Sequence, residues 1–170
     1  MLRTHTCGQL RLADAGTKVI LSGWVQKTRD FGKFNFLDLR DRYGITQIAF
    51  DAAEIDLYER SRKLGREFVV QVEGTVIERE NKNPNLATGE IEIRPSKLTI
   101  LNPAQLPPFK IENDTDGGED LRMQYRYLDL RRPVMAQNLI LRAKMVQAIR
   151  SYLDKHNFLE IETPNLIKST

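Results

Sequence analysis

Hydrophobic and polar residues alternate from Lys18 to Arg29, with Val19, Leu21, Gly23 and Val25 on one face and Ile20, Ser22, Trp24 and Gln26 on the other. A period of two marks a half-buried strand. A turn around Gly32 leads into "FNFLDLRD", where Leu37 and Leu39 share one face and Phe36, Asp38 and Arg40 the opposite one. After "RYG" a third strand runs "ITQIAF". From Glu54 to Leu64 the spacing of Ile55, Tyr58 and Leu64 predicts a helix, with Gly65 as its C-cap. A fourth strand, "EFVVQVEGTVIERE", keeps Phe68, Val70, Val72, Gly74 and Val76 in one register. The polar loop "NKNPNLATG" then leads to a fifth strand, "EIEIRPSKLTIL", in which Pro95 predicts a bulge or an edge.

Three strands, a helix and two strands is the order of the OB-fold. That all-β barrel has five strands and binds oligonucleotides on its second and third strands and its L12 and L45 loops. The expected domain spans residues 1–101. Residues 102–120, "NPAQLPPFKIENDTDGGED", hold three prolines, two adjacent glycines and five acids, and predict a linker. Beyond it a helix carries Met135, Leu139, Val146, Ile149 and Leu153 on its apolar positions and ends near Asn157. "FLEIETP" predicts a short strand stopped by Pro164. One helix and one strand cannot enclose a core, so residues 121–170 resemble the opening of a larger α/β domain.

Strict alternation assigns the outer face of the barrel. If Leu37 and Leu39 point inward, Phe36 points outward; if Ile48 and Phe50 point inward, so does Gln47 outward; Ile91 and Ile93 inward leave Glu92 outward. Arg29 and Arg79 fall at the rims, and Asn83 lies in the loop between the fourth and fifth strands. A ring, an amide, a carboxylate and flanking guanidinium groups suit single-stranded nucleic acid. Unpaired bases stack on the ring, their edges meet Gln and Glu, and phosphates meet Arg. The bland reading stays open at this point: an outward Phe covers a loop, Trp24 covers the barrel seam, and Arg29, Arg40 and Arg42 pair with Asp30, Asp38 and Asp41.

Composition narrows the classes. The chain has 170 residues, 41% hydrophobic and 29% charged, enough for one core and part of another. A net charge of +3, from 26 bases and 23 acids, permits an anionic partner without demanding one. The single Cys7 excludes an internal disulfide and suits a reducing cytoplasm. His5, His156 and Cys7 are too scattered for a zinc site, so no metal is expected. No apolar run is long enough for a membrane span or a signal peptide. No P-loop, no Gly-rich dinucleotide fingerprint and no nucleophile with a base partner is present, so no catalytic residue is assigned.

The series "CGQLRL", "GWVQKTRDFG", "FLDLRDRYGITQIAF", "ATGEIEI", "YRYLDLRRP" and "FLEIETPNLIKST" resembles aspartyl-tRNA synthetases of the bacterial type, in order and over the whole chain. The resemblance implies an amino-terminal OB-fold that reads the anticodon, then a hinge and the start of a class II catalytic domain. By position, Phe36 resembles the residue that stacks on the central anticodon base, and Gln47 the one that hydrogen-bonds it. Glu92 resembles a reader of the first base, while Arg29, Arg79 and Asn83 fall at contacts to the third base and the backbone.

"RRPVMAQNLILRAKMVQAIRSYLDKHNFLEIETP" resembles motif 1, which implies a homodimer interface ending at Pro164. Motifs 2 and 3, which hold ATP and the amino acid, have no counterpart here. The resemblance therefore implies tRNA(Asp) binding without aminoacylation by this stretch, with ATP and Mg2+ belonging to the full-length family. Relatives that also charge the asparagine tRNA tend to carry His where this chain has Phe31, and Lys82 lies near a second discriminating position. Phe31 points toward strict aspartate specificity, but it is not the commonest alternative to His either, so strict and relaxed specificity both stay open at this point. The competing readings are an asparaginyl or lysyl relative and a barrel that binds single strands without base choice.

Overall fold

The structure, a computed structural model, describes residues 1–166. It divides into two units, residues 1–107 and the remainder from Pro108 onward.

The first unit is a closed barrel of β1 (Lys18–Asp30), β2 (Phe34–Arg40), β3 (Ile45–Asp51), β4 (Val69–Glu78) and β5 (Ile91–Asn102), ordered β1-β2-β3-β5-β4. α1 (Ile55–Arg62) lies between β3 and β4, so the expected OB-fold order holds. β1 is long enough to pair with β4 through its first half and with β2 through its second. The crossing is tight at Gly23, where a Cβ would meet the Arg40 carbonyl oxygen at 2.3 Å, so only glycine fits. The barrel closes where β3 runs parallel to β5, with Ile48 opposite Ile93.

The predicted inward positions are the core. Val19, Leu21, Val25, Leu37, Leu39, Ile48, Val70 and Ile93 are all buried, each apolar side chain contributing about 1.5–3 kcal/mol. The anticipated irregularity at Pro95 is a bulge: Glu73 pairs with Lys97 but Gly74 with Pro95, leaving Ser96 extra. A second bulge was not foreseen. Val25 pairs with Leu39 and Lys27 with Asp38, so Gln26 is the extra residue in β1.

α1 is shorter than expected: it ends at Arg62, with Lys63 rather than Gly65 at its C-cap. The left-handed residue nearby is Glu67, at φ 64°. It is held by the Val25 carbonyl, which accepts its N–H at 2.7 Å, and by Arg40, whose Nη2 donates to both its carboxylate oxygens at 2.8 and 3.1 Å.

The amino-terminal segment plugs one end of the barrel with Cys7 and Leu10, both fully buried. Asp41 anchors it, accepting from the Cys7 N–H at 3.0 Å and from the Tyr43 and Gly44 amides. Thr46 Oγ1 donates to the Cys7 carbonyl at 2.7 Å.

In the second unit, Phe109 and Ile111 are buried with Leu128. The stretch 102–120 is therefore not free of core residues, as its proline and acid content had suggested. The aromatic and β-branched side chains fold back against α2 (Glu119–Gln124) and α3 (Arg126–Asp129), and Gly117 packs on the Phe109 ring. α4 (Pro133–Lys155) follows with Pro at its first position. Residues 158–164 form no strand, because no ladder partner is present among the described residues. No helix among those residues is long and apolar enough to cross a membrane.

Burial, followed by the nearby Asp41 charge, pushes the Cys7 thiol from 9.0 up to about 12. The thiolate is the reactive form. Cys7 should therefore resist alkylation by iodoacetamide at pH 8 in native protein and react fully once denaturant unfolds the barrel. Rapid modification without unfolding would contradict this packing.

Candidate nucleic-acid interface

β2, β3 and β5 place their outward residues around one cleft of about 800 Å³. Phe36, half-buried, lines the cleft opposite Ala49 of β3, a small neighbour. Phe34 stacks beside it at 5.9 Å between centroids, and Phe31 meets its edge at 5.9 Å. Phe34 was not singled out in the sequence, although its parity with Phe36 carries the signal.

The bulge at Gln26 reverses the parity of β1. Arg29 consequently lies opposite Phe36 on the cleft side, the face at whose rim it was expected. From there its Nη2 donates to Asp38 Oδ1 at 2.7 Å and to Gln47 Oε1 at 3.2 Å. Gln47 Nε2 in turn donates to Glu92 Oε2 at 2.7 Å. Asp38, Arg29, Gln47 and Glu92 thus form one continuous chain of hydrogen bonds. Gln47 was expected to point outward, and it does line the cleft, but it is only 7% exposed because its neighbours cover both ends of the amide. The cation on one side and the anion on the other fix which end is oxygen and which is nitrogen.

Of the other anticipated residues, Arg79, Asn83 and Phe31 all line the same cleft. Asn83 also shapes its loop: its Oδ1 accepts from the Asn85 N–H at 3.0 Å, and its own N–H donates to the Gly89 carbonyl at 2.9 Å. Lys82 is not among the lining residues. Its Nζ pairs with Glu78 at 2.8 Å and Glu90 at 3.8 Å. The Glu78 hydrogen bond, then its charge, raises the Lys82 pKa. Pro164 is exposed in irregular chain of the second unit. Arg94, which the sequence pattern had not marked, joins Glu92 on the cleft side of β5.

Charge along the lining is acidic on balance. Asp38, Asp51, Glu54, Glu78, Glu80 and Glu92 outnumber Arg29, Arg79 and Arg94. Carboxylates accept from base amino and imino groups and repel phosphates, so this surface suits flat, hydrogen-bonding rings more than a polyanionic backbone. Among the described residues no three of His, Cys, Asp and Glu assemble as a metal site.

Comparisons with known proteins identify relatives of both units. Residues 19–101 match the family of OB-fold nucleic acid binding domains, and residues 118–170 match the class II tRNA synthetases (D, K and N). The aspartate–tRNA ligase of Bacteroides fragilis is 60% identical over 171 residues, covering the whole of this chain and 29% of the relative. That of Flavobacterium psychrophilum is 55% identical over 172 residues, again the whole chain and 30% of the relative. The chain therefore spans under a third of the length of the curated relatives it matches. The asparaginyl-tRNA synthetase of Pyrococcus horikoshii superposes with a TM-score of 0.84 at 29% identity, over 98% of this chain and 39% of that one. An aspartyl-tRNA synthetase from Entamoeba histolytica shares the fold, with a TM-score of 0.83 at 21% identity over 91% and 38% of the two chains.

The loop bearing Asn83 closes only because position 89 is glycine, since a Cβ there would meet the Asn83 carbonyl oxygen at 1.8 Å. Gly89→Ala should open this loop and cost about 1–3 kcal/mol of stability. Amide exchange at Asn83 should quicken well beyond that in β2; unchanged exchange would show that the loop accommodates the methyl group.

Proposed function

This chain is homologous over its full length to the aspartate–tRNA ligases, and on that premise we propose that its barrel binds the anticodon loop of tRNA(Asp). Support comes from one observation above the others. Phe36, Arg29, Gln47 and Glu92 sit around a single cleft, three of them joined by hydrogen bonds beside the Phe36 ring.

In this reading Phe36 stacks on the central anticodon base, a contact worth about 1–3 kcal/mol. Gln47, held in one orientation by Arg29 and Glu92, presents a fixed donor and acceptor to that base. Glu92 accepts from the first base. Arg79 and Asn83 meet the third base and the backbone, with Arg94 as a further cation on the same wall. Phe31, an apolar ring at the mouth of the cleft, favours strict aspartate specificity. Lys82 acts at one remove, through the ion pairs that shape the loop around Asn83.

The whole protein, in this reading, attaches aspartate to tRNA in the cytoplasm as a homodimer. The exposed Leu139, Val146, Ile149 and Leu153 of α4, together with Pro164, contribute to its interface. In this reading ATP and Mg2+ are held by parts of the full-length protein outside this chain. The ATP-dependent step is accordingly not routed through any residue of this chain.

Titrating an aspartate anticodon stem–loop against one with a changed central base tests the reading. The change should cost about 1–3 kcal/mol, and Phe36→Ala a similar amount. A barrel that binds single strands without base choice would instead show equal affinities for the two loops and respond only to salt.

A further inference from the structure

The cleft holds Phe31 at the tip of the β1–β2 turn, where its ring is 70% exposed. A ring on a turn can be placed against a neighbour only as well as the backbone that carries it is placed, and an ordered φ/ψ also narrows its rotamers. Here the backbone is fixed on both sides, and from outside the cleft. Tyr58 of α1 donates its hydroxyl to Asp30 Oδ1 at 2.7 Å and lies 2.9 Å from the Gly32 carbonyl, the residues immediately before and after Phe31. One hydroxyl hydrogen serves both acceptors. The same Asp30 Oδ1 accepts the Gly32 N–H at 2.8 Å, with Gly32 in the left-handed region at φ 77°. Arg62, one turn further along α1, pairs with Asp30 Oδ2 at 3.0 Å and lies over the Tyr58 ring. The Tyr58 ring itself is part of the barrel core.

We propose that Tyr58 and Arg62 are positioning residues for nucleic-acid binding: they clamp Asp30 and Gly32, and thereby hold the Phe31 ring at the mouth of the cleft against the edge of Phe36. Neither residue is expected to touch the ligand. The proposal rests on reading the cleft as the anticodon site, and it adds that helix α1 sets part of that site's affinity. The carboxylate at the centre of the clamp is kept ionised by the same contacts. The Tyr58 hydrogen bond, then that of the Gly32 amide, lowers the Asp30 pKa.

The test uses the whole 170-residue chain and a fluorescently labelled stem–loop carrying the aspartate anticodon. Tyr58→Phe keeps the ring in the core and removes only the hydroxyl, so the barrel should stay folded; Arg62→Ala attacks the clamp from its exposed side. Tyr58→Phe should weaken binding about three- to tenfold, the worth of one such hydrogen bond. Amide exchange at Gly32 and Lys33 should quicken while the β2–β3 ladder stays protected. In a Phe31→Ala background Tyr58→Phe should cost nothing further, because the ring it positions is gone.

Unchanged binding by Tyr58→Phe, with Phe36→Ala weakened, would overturn the positioning role and leave the cleft reading intact. Additive losses from Tyr58→Phe and Phe31→Ala, or faster exchange across the whole barrel, would reduce Tyr58 to a structural residue and overturn it as well. Unaltered binding by Phe36→Ala would remove the cleft reading itself.

Discussion

A single inserted residue decides what the cleft contains. Along an unbroken strand Arg29 would share the parity of Val25 and face the barrel interior. The bulge at Gln26 turns it to the opposite face, beside Phe36 and within reach of Asp38 and Gln47. The bulge leaves Gln26 half-buried, with no protein hydrogen-bond partner for its Oε1. The bulge is held in place by the strand pairing on either side of it. Here β1 must also serve β4 with its other half, so its register is pinned at both ends.

Once Arg29 is on this face, the remaining polar groups follow. Its guanidinium neutralises Asp38 and orients Gln47, and Gln47 donates one of its two amide hydrogens to Glu92. Such a chain is organised before any ligand arrives. A binding site that is already ordered avoids the entropy of fixing side chains during association. The aromatic cluster is prepared in the same way, with Phe34 and Phe31 bracketing Phe36.

How much of this the sequence revealed depends on whether a property is local. Alternation placed Phe36, Gln47 and Glu92 correctly, because inward Leu37, Ile48 and Ile93 fix the parity of their neighbours. The bulge at Pro95 was legible, since proline cannot donate to a ladder. The bulge at Gln26 was not, because no residue type there signals it. Gly65 looked like the helix cap, yet the left-handed position went to Glu67. For a non-glycine residue that conformation costs about 1–2 kcal/mol, offset here by Arg40 and the Val25 carbonyl, partners remote in sequence. The ion pairs of Lys82 had not been anticipated: Glu78 ends β4 and Glu90 immediately precedes β5, so the loop between them brings both carboxylates to one ammonium. Phe109 and Ile111 were hidden by the prolines and acids around them. The clamp on Phe31 joins a turn to a helix more than twenty residues away, a contact no local pattern encodes.

The acidic balance of the lining bears on what kind of binding the barrel performs. Phosphate neutralisation supplies affinity that is blind to sequence, and it grows with each cation placed on the backbone path. A wall in which carboxylates outnumber arginines gives up much of that term. In the proposed reading, what is left is stacking on Phe36 and hydrogen bonding to Gln47 and Glu92, contributions that depend on which base is present. A protein that must choose one tRNA among many with the same backbone is served by that exchange. General attraction for all of them would raise every affinity together, whereas discrimination needs differences. On this view the carboxylates work as much by refusing wrong ligands as by holding the right one.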